Sequence, residues 1–443
     1  MSRKTSVLCL LVCTALLWGA WRITSTAQRP DGLPGLQLWP FRTARPTAAP
    51  DATAPAKKTA PSQPKRATEP MPVIRVAILD QPRRSLSIEV SEPFAVKSLE
   101  SGKLLFNSGR IGATAVSATT RGIKIGKREV ALSGIEIVPA HSPAVWVEGH
   151  QYRGTVRIFR QASGSLTAVN VVPLEDYVAS VVDSEMPAAF PAEARKAQAI
   201  IARTYALYQM QVAERAAVSD VAASTKSQKY LGYQFRERGK LLAGETGEGR
   251  KIAEATRGKV CHSAGKLFCT YYCAVCGGNT VRGTDVFADA APPLVSVPCD
   301  FCREARLYRW TAEISKTDLA KDLAPWLREQ GRQLGALKSV SLVRSGRYAG
   351  GPTEFDLRGD RQSVRISAAE LRQLLAERGL YSPRFSIEDK GRVLVISGRG
   401  HGHGVGLCQW GARGQALEGR TCEQILSYYY RGATVVTRAW KDN

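Results

Sequence analysis

Across residues 171–207 the polarity pattern changes twice. A short apolar run carries Glu175, Asp176, Asp183 and Glu185 and ends at Met186-Pro187. From Pro191 onward, Ala194, Ala197, Gln198, Ile201, Tyr205 and Tyr208 recur at helical spacing. That repeat predicts one long amphipathic helix. Proline suits a first helical turn, where its missing N–H costs nothing, and Glu193 complements the positive end. The buried face is largely alanine, which lets the helix pack close to another element. Glu185 is then expected in a turn between two apolar segments, held by Pro187. It reads either as a solvated turn glutamate or as a carboxylate at the mouth of a cleft. In the second case one desolvated side raises its pKa and suits it to general-acid work.

Upstream, residues 72–172 alternate in short runs at 73–78, 87–90, 134–138 and 155–159, with breaks at Ser108-Gly109 and Arg153-Gly154. This predicts a β-rich, antiparallel region. Downstream, 319–334 and 368–378 read as helices, the second with Leu371, Leu374 and Leu375 on one face. Pro325 is expected to break or restart the first. Residues 340–343 and 364–366 read as strands. The predicted class is α+β: a β-rich N-terminal region, then a mixed α/β catalytic-type domain with one long central helix.

Residues 1–23 open with Arg3 and Lys4, and 7–21 are apolar. That run is short for a bilayer span of about 20 residues, so it reads as an export signal. An uncleaved anchor is the alternative, since no small-x-small site follows Trp21, and Leu11-Val12 ahead of Cys13 suit a lipoprotein site poorly. Residues 24–71 are rich in Pro, Ala and Thr and read as a disordered tether. A β-rich region over 72–172 and a core domain over 173–436 complete the expected organisation.

Composition changes the picture in one respect. Over 443 residues the hydrophobic fraction of 44% is ordinary, but the formal charge is +23. Such a charge attracts a polyanion, whether nucleic acid, anionic membrane or acidic cell-wall polymer, unless it serves solubility alone. No zinc-finger, RNA-recognition or helix-turn-helix pattern is present and the basic residues are spread out, which argues against nucleic acid. Membrane contact is expected only through the N-terminal segment.

Cys273-x2-Cys276 and Cys299-x2-Cys302 stand 22 residues apart. Four thiolates so paired fit a tetrahedral structural zinc site, and two disulfides in an oxidising compartment are the alternative. Cys261, Cys269, Cys408 and Cys422 read as buried thiols, or Cys408 and Cys422 as a pair. His262 beside Cys261 is a candidate fifth ligand or a plain polar residue. No organic cofactor is expected. Tyr271 and Tyr272 offer flat faces for sugar rings, and Gly277-Gly278 let backbone approach a ligand; a turn with core aromatics reads equally well. Residues 397–434 hold a glycine-rich loop presenting His401 and His403. These suit a carboxylate, a sugar hydroxyl or a metal, although no third ligand lies close in sequence.

Several of these stretches together resemble the sporulation stage II protein D (SpoIID)/LytB family. Ser184-Glu185-Met186-Pro187 is followed by Glu193-Ala194, Lys196-Ala197-Gln198-Ala199 and Ala202-Arg203-Thr204-Tyr205-Ala206-Leu207, as in "SEMP…EAxKAQAxxARTYAL". Tyr152-Arg153-Gly154, Ser227-Gln228-x-Tyr230-x-Gly232, Cys276-Gly277-Gly278-x-Thr280 and Gly402-His403-Gly404-Val405-Gly406…Gln409-Trp410-Gly411-Ala412 match further motifs. Two departures stand out: His401 replaces a usual aromatic residue and Cys408 a usual serine. Ala222, Lys226 and Ser227 stand where some members carry zinc ligands, so that particular site is absent.

The resemblance implies cleavage of peptidoglycan glycan strands by a lytic transglycosylase with Glu185 as its acid. Arg203, Tyr205, Ser227, Gln228, Tyr230, Tyr272, Gly277, Gly278, Thr280, His403, Gln409 and Trp410 are the candidate substrate contacts. Such an enzyme needs one main carboxylic acid, because the muramic acid 6-hydroxyl attacks internally and no activated water is required. Asp176 and Asp183 are therefore not expected as nucleophiles. Strands stripped of stem peptides expose lactyl carboxylates, which a chain at +23 attracts. The rival reading is a non-catalytic peptidoglycan-binding enhancer of a cell-wall amidase. A metal-dependent amidase using His401, His403 and cysteines is a weaker third. Either main reading places the protein outside the cytoplasmic membrane, in the cell envelope or periplasm.

Overall fold

A computed structural model describes residues 69–345 and 353–441. The expectations for 1–23, and for 24–71 as far as residue 68, fall outside the described residues. The last three residues of the expected tether do pack: Glu69–Pro70 runs parallel to Trp440–Lys441, and Met71 is buried. The folded chain thus extends past both expected ends, 72 and 436.

The β-rich expectation is met by two sheets. One has seven strands, ordered Val221–Ala222, Val73–Ala77, Leu166–Pro173, Thr155–Arg160, Gly134–Pro139, Phe94–Ser98 and Leu104–Ser108. The other has eight, ordered Lys240–Ala243, Gln234–Glu237, His150–Tyr152, Val145–Val147, Ser85–Val90, Ile111–Ala118, Ile123–Ile125 and Arg128–Val130. Alternation decides which side chains face inward. In Ser85–Val90, Leu86, Ile88 and Val90 are buried, and Val156 and Ile158 lie opposite Ile137 and Ile135. Strands from beyond residue 172 join both sheets, so residue 172 does not end a separate domain.

Helix α1 (Leu174–Glu185) leaves the strand Leu166–Pro173 directly, and α2 (Ala192–Val212) and α3 (Gly247–Ala255) pack against it. The run around Glu175 is thus helical. Leu174, Tyr177, Val178, Val181 and Val182 form an i, i+3, i+4, i+7, i+8 face buried in the same core as the strands. Glu185 accordingly closes a helix, and the turn begins only at Met186. Pro191 caps α2, and Ala194, Ala197, Gln198 and Ile201 are fully buried.

A second core joins the start of α2 to the cysteine-bearing loops, to α6 (Gln409–Leu417) and to α7 (Cys422–Tyr429). A third belongs to 310–398. It contains two three-stranded sheets, α4 (Lys316–Glu329) and α5 (Ala368–Leu374). Here α4 runs through Pro325 without ending. A helical proline costs about 3 kcal/mol. The buried stripe of Leu319, Leu323 and Leu327 offsets this at about 1.5–3 kcal/mol per side chain.

Candidate functional site

Five elements converge on Glu185. Its half-buried side chain projects from the last position of α1, the negative end of the helix dipole. The Lys229 backbone N–H donates to its Oε1 at 2.7 Å, and the Tyr272 hydroxyl donates to the same oxygen at 2.9 Å. The Gln409 Nε2 amide, at the first position of α6, lies 3.4 Å from Oε2 and equally 3.4 Å from Gln198 Oε1 on α2. Burial pushes the carboxyl above the ordinary glutamate range. The Lys229, Tyr272 and Gln409 donors oppose that shift without cancelling it. Two buried polar atoms beside this cluster, Ser184 Oγ and Gln198 Nε2, make no hydrogen bond within the protein.

The neighbouring carboxylates are otherwise engaged. Asp183 binds Arg195 and receives the Thr246 N–H at 2.6 Å, and Asp176 pairs with Arg250 at 2.8 Å. Neither is poised as a nucleophile.

The candidate contacts separate into two groups. Tyr272 and Gln409 touch Glu185, Gln228 accepts from Tyr177 and reaches the Tyr272 hydroxyl, and Trp410 follows Gln409 in α6 and packs edge-on to Phe190. The others are occupied in structural work. Arg203 is fully buried, bidentate to Glu175 and bonded to the Lys259 and Ala253 carbonyls, so substrate cannot reach it. Tyr230 is buried and donates to Asn170 at 2.7 Å, and Tyr205 is buried in the sheet core. Ser227 accepts the Ala222 N–H within its own turn. Thr280 is buried and receives the Val297 N–H at 2.8 Å. Gly277 and Gly278 have positive φ, and a Cβ on Gly277 would meet Gly400 and Arg399. The close approach they permit is thus to the neighbouring loop and not to a ligand.

His403 receives the Val405 N–H on Nδ1 at 3.1 Å, which puts the proton of the neutral ring on Nε2. Its ring stands edge-on to Phe287 and Tyr271, and burial holds its pKa down at about 4. His401 packs against Tyr381, so the two histidines sit against different aromatic groups. Among the described residues no histidine joins a metal-capable cluster.

The sulfurs cluster differently from the spacing. Cys276, Cys299, Cys302 and Cys408 gather their Sγ atoms within 4.8 Å of one another, all buried. Cys273 is outside this set, although its backbone pairs with Cys408 across two parallel strands and its thiol neighbours that of Cys408. The eight described cysteines are all free, and Cys422 lies away from Cys408, hydrogen-bonded to Glu193 and Glu423. Neither the disulfide alternative nor the Cys408–Cys422 pair is formed.

Sequence reasoning missed three participants. The Lys229 N–H carries no sequence signal, since any residue offers it. Gln198 was visible only as part of a buried face. Cys408 was visible as a departure from serine.

A cavity of about 820 Å³ lies between the 310–398 module and the 281–286 segment, lined among others by Val281, Asp285, Trp310, Phe355, Phe385 and His403. Glu185 does not line it.

Residues 162–262, which hold α1, α2 and Glu185, match the family model described as "Stage II sporulation protein". Residues 295–406 match a "Domain of unknown function (DUF8618)". An uncharacterized protein of Brachyspira hyodysenteriae is 29% identical over 365 residues, covering 82% of this chain and 93% of its own. Stage II sporulation protein D of Bacillus subtilis is 28% identical over 286 residues, 63% and 78% of the two chains. The "Amidase enhancer" of Bacillus subtilis is 25% identical over 417 residues, 78% of this chain and 56% of its own. Fold and matches together define an α+β protein built on a stage II sporulation protein domain. The chain carries a SpoIID domain over residues 162–262 and is similar to proteins named stage II sporulation protein D and amidase enhancer.

Proposed function

We propose that this is an exported cell-envelope protein that cleaves peptidoglycan glycan strands as a lytic transglycosylase, with Glu185 as acid and then base. The observation that carries the reading is a single carboxyl whose pKa is raised by burial while three donors fix its orientation. A general acid must be protonated near its working pH and held rigidly, and this environment favours both. The protonated Glu185 gives its proton to the glycosidic oxygen as the C–O bond breaks. The muramic acid 6-hydroxyl then attacks the anomeric carbon and returns its proton to Glu185. An anhydro end forms and the acid is regenerated, with no second carboxylate in the cycle. We place the chemistry here and not at the cavity beside Trp310 and Phe385, because volume alone supplies no proton. A net charge of +23 favours strands whose lactyl carboxylates are exposed.

A second reading has its own support in the relative named "Amidase enhancer": strand binding without cleavage, in aid of a cell-wall amidase. The test is incubation of the protein and its Glu185→Gln variant with glycan strands, with and without stem peptides, and identification of products by mass. Anhydro-muramyl ends from the wild type alone support the transglycosylase. Hydrated reducing ends make it a hydrolase, and strand binding by both proteins without products leaves the enhancer reading.

A further inference from the structure

We propose that Cys276, Cys299, Cys302 and Cys408 bind a structural zinc ion. Zinc–sulfur bonds of about 2.3 Å in a tetrahedron set sulfurs about 3.8 Å apart. Cys276 and Cys302 stand at 3.7 Å, well beyond the ~2.05 Å of a disulfide. The remaining sulfurs complete the set within 4.8 Å. Four buried soft donors with no carboxylate among them favour zinc over the hard cations.

The surroundings of the sulfurs are an independent observation. The Cys276 and Gly411 N–H groups donate to Cys408 Sγ at 3.2 and 3.3 Å, and the Gly278 N–H donates to Cys302. The Tyr429 hydroxyl lies 3.1 Å from Cys299 Sγ. A neutral thiol is a weak acceptor, whereas a thiolate ligand is stabilised and oriented by such donors. The other group of possible ligands, Glu193, Cys422 and Glu423, is already neutralised by Lys196 and Lys259 and carries no such argument.

The ion ties together three segments that are distant in sequence. Cys276 follows the strand Tyr272–Cys273, Cys299 and Cys302 lie before the 310–398 module, and Cys408 caps α6. Tyr272 and Gln409, which both touch Glu185, sit on two of those segments. The proposal itself does not depend on what Glu185 does.

The test uses the full chain, purified without chelator. Metal analysis is expected to find one zinc per chain, and cobalt exchange to give the absorption of a thiolate-bound ion. Serine is a good helix cap and can accept the Gly411 N–H in place of Cys408, so Cys408→Ser is expected to fold. Its zinc affinity should fall by at least about 100-fold, the upper end for losing an outer-sphere partner. Cys273→Ser should keep its zinc, and chelation should lower the wild-type melting temperature but not that of Cys408→Ser. The proposal is overturned by a metal-free protein whose thiols ignore added zinc, or by a mass 2 or 4 Da low from disulfides. It is equally overturned if Cys273→Ser, and not Cys408→Ser, loses the metal. All these readouts are independent of glycan cleavage, so failure of the site and failure of the catalytic reading are distinguishable.

Discussion

Arg203 falls on a family motif, yet its geometry makes it a structural cation, and this can be tested quantitatively. Its side chain is 0% exposed and that of Glu175 only 10%. Nε reaches Oε1 at 2.9 Å and the second guanidinium nitrogen reaches Oε2 at 2.6 Å. The Gly258 N–H adds a third donor to the carboxylate at 3.2 Å. Glu175→Gln keeps the shape but leaves the guanidinium buried without a counter-charge. Breaking such a pair costs about 3–5 kcal/mol. Against a typical total of about 5–15 kcal/mol, that is a large fraction of the stability. Exchanging both partners, as in Glu175→Leu with Arg203→Met, removes the stranded charge and should recover most of the loss. Equilibrium urea unfolding of Glu175→Leu, Arg203→Met and the double variant, extrapolated linearly, measures the cycle. Single variants that lose less than about 1 kcal/mol would show that the pair is not desolvated. A double variant that folds with wild-type stability but no longer binds glycan would refute the structural assignment and return Arg203 to the substrate site.

The other predictions concern the titrating groups. The folded pKa of Glu185 is raised, so its stabilising contribution is full below the unfolded glutamate pKa and is lost as pH rises through the folded value. Glu185→Gln should therefore flatten that loss and melt no lower than wild type at pH 7; a much lower melting point would contradict the desolvated carboxyl. Tyr272→Phe removes a donor that favours the carboxylate, so the alkaline limb of the pH–activity profile should move to higher pH, and a limb that stays put would exclude Glu185 as the acid. For His403 the sign is opposite: with a pKa near 4 its contribution is full above about 6.5 and falls away toward 4, on the order of 3 kcal/mol in all. Histidine NMR should show this ring neutral at pH 6 with its proton on Nε2, and a cationic ring there would overturn the burial argument.

Local patterns were sufficient where local physics decides. Alternation in 85–90 and 155–160 marks strands because side chains on a pleated strand take opposite faces. The alanine and isoleucine spacing after Pro191 marks α2 for the equivalent helical reason. The motif around Glu185 singled out the residue before any geometry was known. Between these elements local signals compete. The apolar run of α1 carries no assignment by itself, since its β-branched valines are poor helix formers, and the sheet core supplies the surface that holds their helical face. A proline that should end α4 is overridden by three buried leucines. Spacing along the chain also could not pair the cysteines, because a C-x2-C knuckle places two sulfurs together only if both side chains turn inward. Parallel pairing of Tyr272–Cys273 with Leu407–Cys408 brings Cys408 beside the first knuckle, and its sulfur joins the cluster where that of Cys273 does not. Motif membership likewise could not separate Tyr272 and Gln409, which touch Glu185, from Arg203 and Tyr230, which are sealed in the core. Local pattern was enough for most of the strands, for α2 and for singling out Glu185. Which side chains surround that carboxyl, and which sulfurs meet, follows from packing, because desolvation and convergence are properties of segments far apart in the chain.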